Sequence, residues 1–160
     1  FEYLMMIAQG YQESRLDQRV RSQAGAVGIM QLLPSTAAEP AVAIKDIHKV
    51  EPNIHAGIKY MRWIVDNYFN DEDLDLKQQE LFALASYNAG PNRVRRLRRK
   101  AEARGLDPDI WFDNVEVIAA EEIGRETVQY VSNIYKYYLA YTLLAEQRAR
   151  REQAIGDTLQ

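Results

Sequence analysis

In segment after segment between Leu4 and Ala145, apolar residues recur at spacings of three and four, with Ala41 to Pro52 irregular. No segment alternates with the period of two that a half-buried strand shows. A chain patterned this way can bury its apolar surface only by packing helix against helix. The expectation is an all-α chain of five to eight helices with no appreciable sheet. Its 160 residues fit one domain, long enough to bury about two-thirds of the surface that the unfolded chain exposes. No apolar run approaches the length of a membrane span.

The first helix covers about residues 1 to 15, with Leu4, Ile7, Ala8 and Tyr11 as its apolar face. Its start, Phe1-Glu2-Tyr3-Leu4-Met5-Met6-Ile7, lies inside the apolar pattern and has no cap. That start suggests a piece of a longer protein, and no signal peptide is present. Leu16 to Val27 is polar and turn-rich. Then comes Gly28-Ile29-Met30-Gln31-Leu32-Leu33-Pro34, one amide among apolar residues, where Pro34 can open a short helix. Asn53 is expected to cap a helix whose inner face is Ile54, Ile58, Met61, Val65 and Tyr68.

After an acidic loop, Asn70-Asp71-Glu72-Asp73, helix resumes at Leu76 with Leu81, Leu84 and Ala85 inward. Asn88-Ala89-Gly90-Pro91 stops it and starts the next, since Gly takes the residue after a helix and Pro the first turn of another. Asn92 to Arg104 is basic on one side and carries Val94, Leu97 and Ala101 on the other. A loop with Trp111 and Phe112 leads to a helix from about Asn114 to Ile123. Past Gly124 the longest helix runs from Arg125 to about Glu152, with Val128, Val131, Tyr135, Tyr138, Thr142 and Ala145 inward. Residues 146–160 are read as a charged helix end and tail that frays.

Charge argues against a nucleic-acid partner. Twenty-three acidic residues outnumber twenty basic ones, so no global field attracts a polyanion. The basic helix lacks the interleaved aromatics of a nucleic-acid surface, although contact with some anionic polymer stays open. His48 and His55 are the two histidines and have no acidic or Cys cluster at ligand spacing. Neither a metal nor a cofactor is expected. The ten tyrosines exceed what a core needs, and their flat faces with a polar tip suit ring-shaped polar ligands.

Glu13 is the candidate for chemistry. It sits at the end of the first helix, where the chain opens into a loop. A carboxyl group there can be partly desolvated and still reach a ligand. Desolvation raises its pKa, as an acid working near neutral pH requires. A solvated helix-end glutamate is the ordinary alternative.

Four segments stand in order at helix ends or turns: Glu13-Ser14, Gly28-Ile29-Met30-Gln31, Tyr87-Asn88-Ala89-Gly90 and Glu126-Thr127-Val128-Gln129-Tyr130-Val131. Together they closely resemble the soluble lytic transglycosylase domain, which has a goose-type lysozyme-like fold with a substrate groove. In that family a Glu-Ser pair ends a helix, and a Gly-(Leu/Ile)-Met-Gln segment follows. A (Ala/Ser)-Tyr-Asn-Ala-Gly turn and a Glu-Thr-x-x-Tyr-Val helix start come after it. The resemblance covers about residues 2 to 145, and residues 1–145 are read as the catalytic domain.

The final-helix motif is most similar to the membrane-bound branch of the family, whose members carry a solute-binding-like regulatory domain ahead of the catalytic one. Ile123-Gly124-Arg125 departs from the Pro-containing approach of the soluble enzymes. The resemblance implies a periplasmic, outer-membrane-associated enzyme acting on peptidoglycan glycan strands. It also implies a role for each matching residue. Glu13 would be the single catalytic acid, held by a hydrogen bond from Tyr87. Ser14 and Gln31 would meet N-acetyl or lactyl groups. Met30 would give an apolar wall or belong to the core, and Asn88 would hold its turn or meet the ligand. Glu126 and Tyr130 would line the far wall of the groove. Hydrolysis of goose-lysozyme type and an inactive wall-binding module are the competing readings.

Overall fold

The structure is a computed structural model that describes residues 2–70 and 74–158, so the centre of the expected acidic loop lies outside the described residues. The described residues form an all-α fold of seven α-helices. These are α1 (Tyr3–Ser14), α2 (Pro34–Ala38), α3 (Val50–Tyr68), α4 (Leu76–Ala89), α5 (Pro91–Ala103), α6 (Glu116–Ile123) and α7 (Arg125–Thr158). A short π-type turn, Trp111–Val115, precedes α6. Extended pairing among the described residues is limited to isolated bridges, Arg21 with Val27 and Val27 with Leu32.

Helix α4 is the centre. Glu80 to Ser86 are buried without a break, as in a helix enclosed on all sides, and α3, α5 and α7 pack around it. Asp75 caps its start by accepting from the Gln78 amide at 2.8 Å. Trp111, in the segment read as a loop, is fully buried against Phe82 of α4 with ring centroids 6.0 Å apart. α1 lies along α7.

The buried residues form two clusters. The large one joins α1, α3, α4, α5, α6 and α7. The small one, Val27, Leu32, Ala37, Val42, Ile47 and Ala56, lies under the long connection between α1 and α3. Tyr60 and Tyr87 pack against both clusters and mark the seam between them.

Several inner faces differ from those the spacing predicts. In α1 the buried residues are Met5, Met6, Ala8, Gln9, Gly10 and Ser14, while Ile7 is exposed. In α3 they are Asn53, Ala56, Gly57, Met61, Ile64 and Val65, while Ile58 faces out. Asn53 is not the cap, because α3 starts three residues earlier and Asn53 lies within its first turn. In α7 the buried residues are Thr127, Tyr130, Val131, Ile134 and Tyr138, and Ala145 is exposed. The charged end continues as helix to Thr158. In α1 and α3 small or polar residues such as Gln9, Gly10, Asn53 and Gly57 are buried while Ile7 and Ile58 face outward. A pattern of hydrophobicity alone cannot foresee that exchange.

Candidate active site around Glu13

Met5, Gln9 and Glu13 are four residues apart and share one side of α1. Met5 and Gln9 are fully buried, so Glu13 is the outer end of a buried stripe. Arg15 and Leu16 then take left-handed backbone angles, φ 57° and 62°. The amide of Arg15 bonds back to Tyr11 O and that of Leu16 to Gly10 O, at 2.9 and 3.3 Å. Such a cap ends the helix abruptly and leaves the Glu13 carboxyl at the edge of the core.

Burial there pushes the Glu13 pKa up to about 7, and a hydrogen bond from Tyr130 opposes part of that rise. The Tyr130 hydroxyl donates to Glu13 Oε1 at 2.5 Å and accepts from Gln9 Nε2 at 3.3 Å. Because Gln9 fills an acceptor position on the phenol oxygen, the hydroxyl proton is directed at Glu13. Gln9 Oε1 is buried without a partner. Both tyrosines near the carboxyl are shifted in the same sense. Burial, then the charge of Glu13, raise the pKa of Tyr130 and of Tyr87 well above the ordinary value, so both stay protonated donors.

The tyrosine that holds Glu13 is therefore Tyr130, in place of Tyr87. The Tyr87 hydroxyl donates to Met30 O at 2.7 Å, because its ring spans the seam and reaches the Gly28–Gln31 turn. That turn is fixed from several sides. Ser14 Oγ donates to Ile29 O at 3.0 Å and to Gly10 O at 3.2 Å. Asn53 accepts from the Met30 amide at 2.8 Å and donates to Val27 O and Ile47 O at 2.8 and 3.0 Å. Gln18 accepts from the Ile29 amide at 3.1 Å and donates to Ile47 O at 3.0 Å.

Close approach explains the glycines. A Cβ on Gly28, at φ 74°, would lie 2.4 Å from the Gln18 side chain, and one on Gly57 would lie 2.7 Å from that of Met30. Contacts so short exclude any side chain at either position without displacement of the turn.

The other expected site residues fall into place around this turn. Ser14 is buried and turned inward, and its hydroxyl pins the turn. Gln31, with φ 45°, donates its amide to Gly28 O at 2.8 Å, again closing the turn. Met30 is buried with its side chain against Gly57 and belongs to the core. Asn88 accepts from Thr127 Oγ1 at 2.7 Å, which ties the end of α4 to the start of α7. Glu126 is exposed, one helical turn before Tyr130.

Gln9, Gln18 and Asn53 are structural members that the sequence reading missed as such. A buried Gln four residues before Glu13 is the signal that could have pointed to the first. Asp17, the nearest acid in sequence, is held by Arg19 at 2.8 Å, which lowers its pKa to about 2. No charged group contributes to the Glu13 shift. Among the described residues no cluster of His, Cys, Asp and Glu could hold a metal ion, and no helix is long and apolar enough to cross a membrane.

The chain as a whole has counterparts among known proteins. Residues 2–110 match the profile of the family described as Transglycosylase SLT domain. The chain is 34% identical to a membrane-bound lytic murein transglycosylase F of Desulfosudis oleivorans over 151 residues, which is 86% of this chain and 32% of that protein. It is 30% identical to the protein of the same description from Haemophilus influenzae, over 98% of this chain and 34% of that one. It spans about a third of the length of these relatives. Its fold is similar to that of the 70 kDa soluble lytic transglycosylase of Escherichia coli, with a TM-score of 0.58 at 24% identity over 89% of this chain and 22% of that one. The profile match covers more than half of the chain, and the chain belongs to the transglycosylase SLT domain family.

Proposed function

We propose that this domain is the catalytic module of a peptidoglycan lytic transglycosylase, with Glu13 as its one acid and base. The observation that carries the reading is Glu13 itself. Burial alone raises its pKa to about 7, with no second carboxylate acting on it. Ordinary glycosidases place two carboxylates across the scissile bond. A site with one can draw its second function from the substrate.

The protonated Glu13 gives its proton to the oxygen between N-acetylmuramic acid and N-acetylglucosamine, and the bond from that oxygen to the anomeric carbon breaks. The 2-acetamido oxygen of the muramyl sugar bonds to the anomeric carbon and carries the positive charge. Glu13, now a carboxylate, takes the proton of the C6 hydroxyl. O6 attacks the anomeric carbon and displaces the acetamido oxygen. The product is a 1,6-anhydromuramyl end, no water is consumed, and Glu13 returns to its acid form. Attack from within the same sugar has the advantage of proximity.

Tyr130 keeps the carboxyl turned toward the seam throughout, and its hydrogen bond strengthens when Glu13 is charged. Tyr87 and the fixed turn form the opposite wall. Glu126, exposed one helical turn before Tyr130, meets a more distant sugar in this reading. That these relatives are membrane-bound murein enzymes supports a setting in the bacterial envelope, which we read as periplasmic and outer-membrane-associated. Their greater length leaves room for an N-terminal solute-binding-like regulatory domain.

The test is Glu13→Gln on purified murein. The amide cannot donate a proton as an acid, so turnover should fall at least about 10²- to 10⁴-fold while sedimentation with murein persists. Unchanged turnover would refute the assignment.

A further inference from the structure

We propose that the groove between α5 and the end of α6 is a docking site for the carboxylate-bearing stem peptide of the strand whose sugars lie at Glu13. The proposal rests on the reading of Glu13 as the acid that cleaves muramyl strands. The groove has a volume of about 340 Å³, with Leu97 and Ile123 giving it apolar surface and Arg93, Arg96, Lys100 and Glu122 its charge. Lys100 is bonded to Glu122, so those two charges cancel. Arg93 and Arg96 are exposed and form no ion pair among the described residues. They give the groove its net positive charge in a chain whose total is -3.

The rest of the helix shows that this is not a uniform cationic surface. Arg98 pairs with Asp109 and Arg104 with Glu121. These pairs clamp α5 to the segments that follow it. Arg95 lies over the Tyr68 ring, and together with Arg99 it lines a different side of α5. Arg93, Arg96 and Lys100, at spacings of three and four, share the groove side. From Arg93 to Lys100 the helix rises about 10 Å, the length of roughly three residues of extended peptide.

Both walls of the groove are joined through the chain to elements of the Glu13 site. On one wall, Arg93 is three residues beyond Gly90, in the turn that follows Tyr87 and Asn88. On the other, Ile123 is four residues before Thr127, whose hydroxyl donates to Asn88 at 2.7 Å. Three residues beyond Thr127 is Tyr130, which holds Glu13. A muramyl sugar at Glu13 carries its peptide on a lactyl ether, and that peptide bears several carboxylates. The groove offers guanidinium forks to those carboxylates, the pairing that Arg makes most strongly.

The experiment compares murein strands bearing stems with the same strands stripped of stems by an amidase. For the Arg93→Gln/Arg96→Gln variant, the ratio of kcat/KM on stem-bearing to stripped strands should fall about tenfold, as for loss of one or two charge-assisted hydrogen bonds. The charge-matched Arg95→Gln/Arg99→Gln variant should leave that ratio as in the parent. An unchanged ratio in the first variant, or an equal drop in both, overturns the proposal. A second measurement needs no turnover: titration of the parent with the free acidic stem tetrapeptide and with its carboxamide-blocked form. The acid form should shift the amide resonances of groove residues, and salt should weaken the effect. Equal shifts by the blocked peptide, or none by the acid, sink the groove. Failure of the parent to cleave either strand counts against the function of Glu13, and the titration still decides the groove.

Discussion

Glu13 owes its acidity to a position, the outer end of the Met5–Gln9–Glu13 stripe, and that position has consequences for pH. The proposed mechanism needs the protonated carboxyl, so kcat/KM should fall as pH rises through about 7. In Tyr130→Phe the hydrogen bond that lowers the pKa is gone, so the falling limb should move to higher pH. Its kcat should drop roughly 10- to 100-fold as the carboxyl loses its orientation. An unmoved limb would show that Tyr130 does not act on Glu13.

The same shift predicts a stability effect. The folded pKa of about 7 lies above the ordinary 4.5, so the folded state binds the proton more tightly than the unfolded one. The favourable contribution is complete below pH 4.5 and is lost as pH rises through 7. Glu13→Gln cannot ionise. Its stability relative to the parent should therefore grow between pH 4.5 and 8 by up to about 3 kcal/mol, measured by denaturant titration at each pH. A difference independent of pH would contradict the burial argument. At this scale the sequence showed which carboxyl to choose but not its partner. Tyr87 and Tyr130 both stood in recognisable motifs, and only three-dimensional reach decides that Tyr130 meets Glu13 while Tyr87 meets the Met30 carbonyl.

Among the elements, α3 does more for the site than its helical pattern suggests. Asn53, in its first turn, holds the Gly28–Gln31 turn through the Met30 amide and the Val27 and Ile47 carbonyls. One turn further on, Gly57 makes room for the Met30 side chain. Asn53→Leu would leave the buried Met30 amide unpaired, while Leu32 N and Gln18 Nε2 still serve the Val27 and Ile47 carbonyls, and should cost about 1–3 kcal/mol, read by thermal or denaturant unfolding. Turnover should fall with it as the turn loosens. Loss of less than about 0.5 kcal/mol, the level of an ordinary surface change, would mean that other contacts hold the turn. Helix order and ends were legible in sequence: Gly90-Pro91 and Gly124 mark breaks that the structure also has. Helix faces were less legible. Ala8, Met61, Val65, Val131 and Tyr138 are buried as the spacing predicts, but a buried Gln, Asn or Gly reads as polar or neutral in any hydrophobic pattern, so Gln9, Gly10, Asn53 and Gly57 were not foreseen as inner residues of α1 and α3.

At the scale of the whole molecule, the site lies at the seam between a large helical core and a small cluster under the α1–α3 connection. All-α periodicity anticipated a helical chain, and the four motifs, through the family resemblance they carry, anticipated its fold; the two-cluster division was not foreseen. What they could not give is the division of labour at the seam. Ser14, Gln31 and Met30 build the wall, and Gln9, Tyr130 and Glu13 form the chain of hydrogen bonds within it. The central claim is that one carboxyl serves a substrate that supplies its own nucleophile. Mass analysis of the muramyl ends released from purified murein tests it most directly. The account predicts 1,6-anhydro ends, lighter by one water than reducing ends, with no label incorporated from ¹⁸O water. Reducing muramyl ends carrying ¹⁸O would contradict it and make the enzyme a hydrolase.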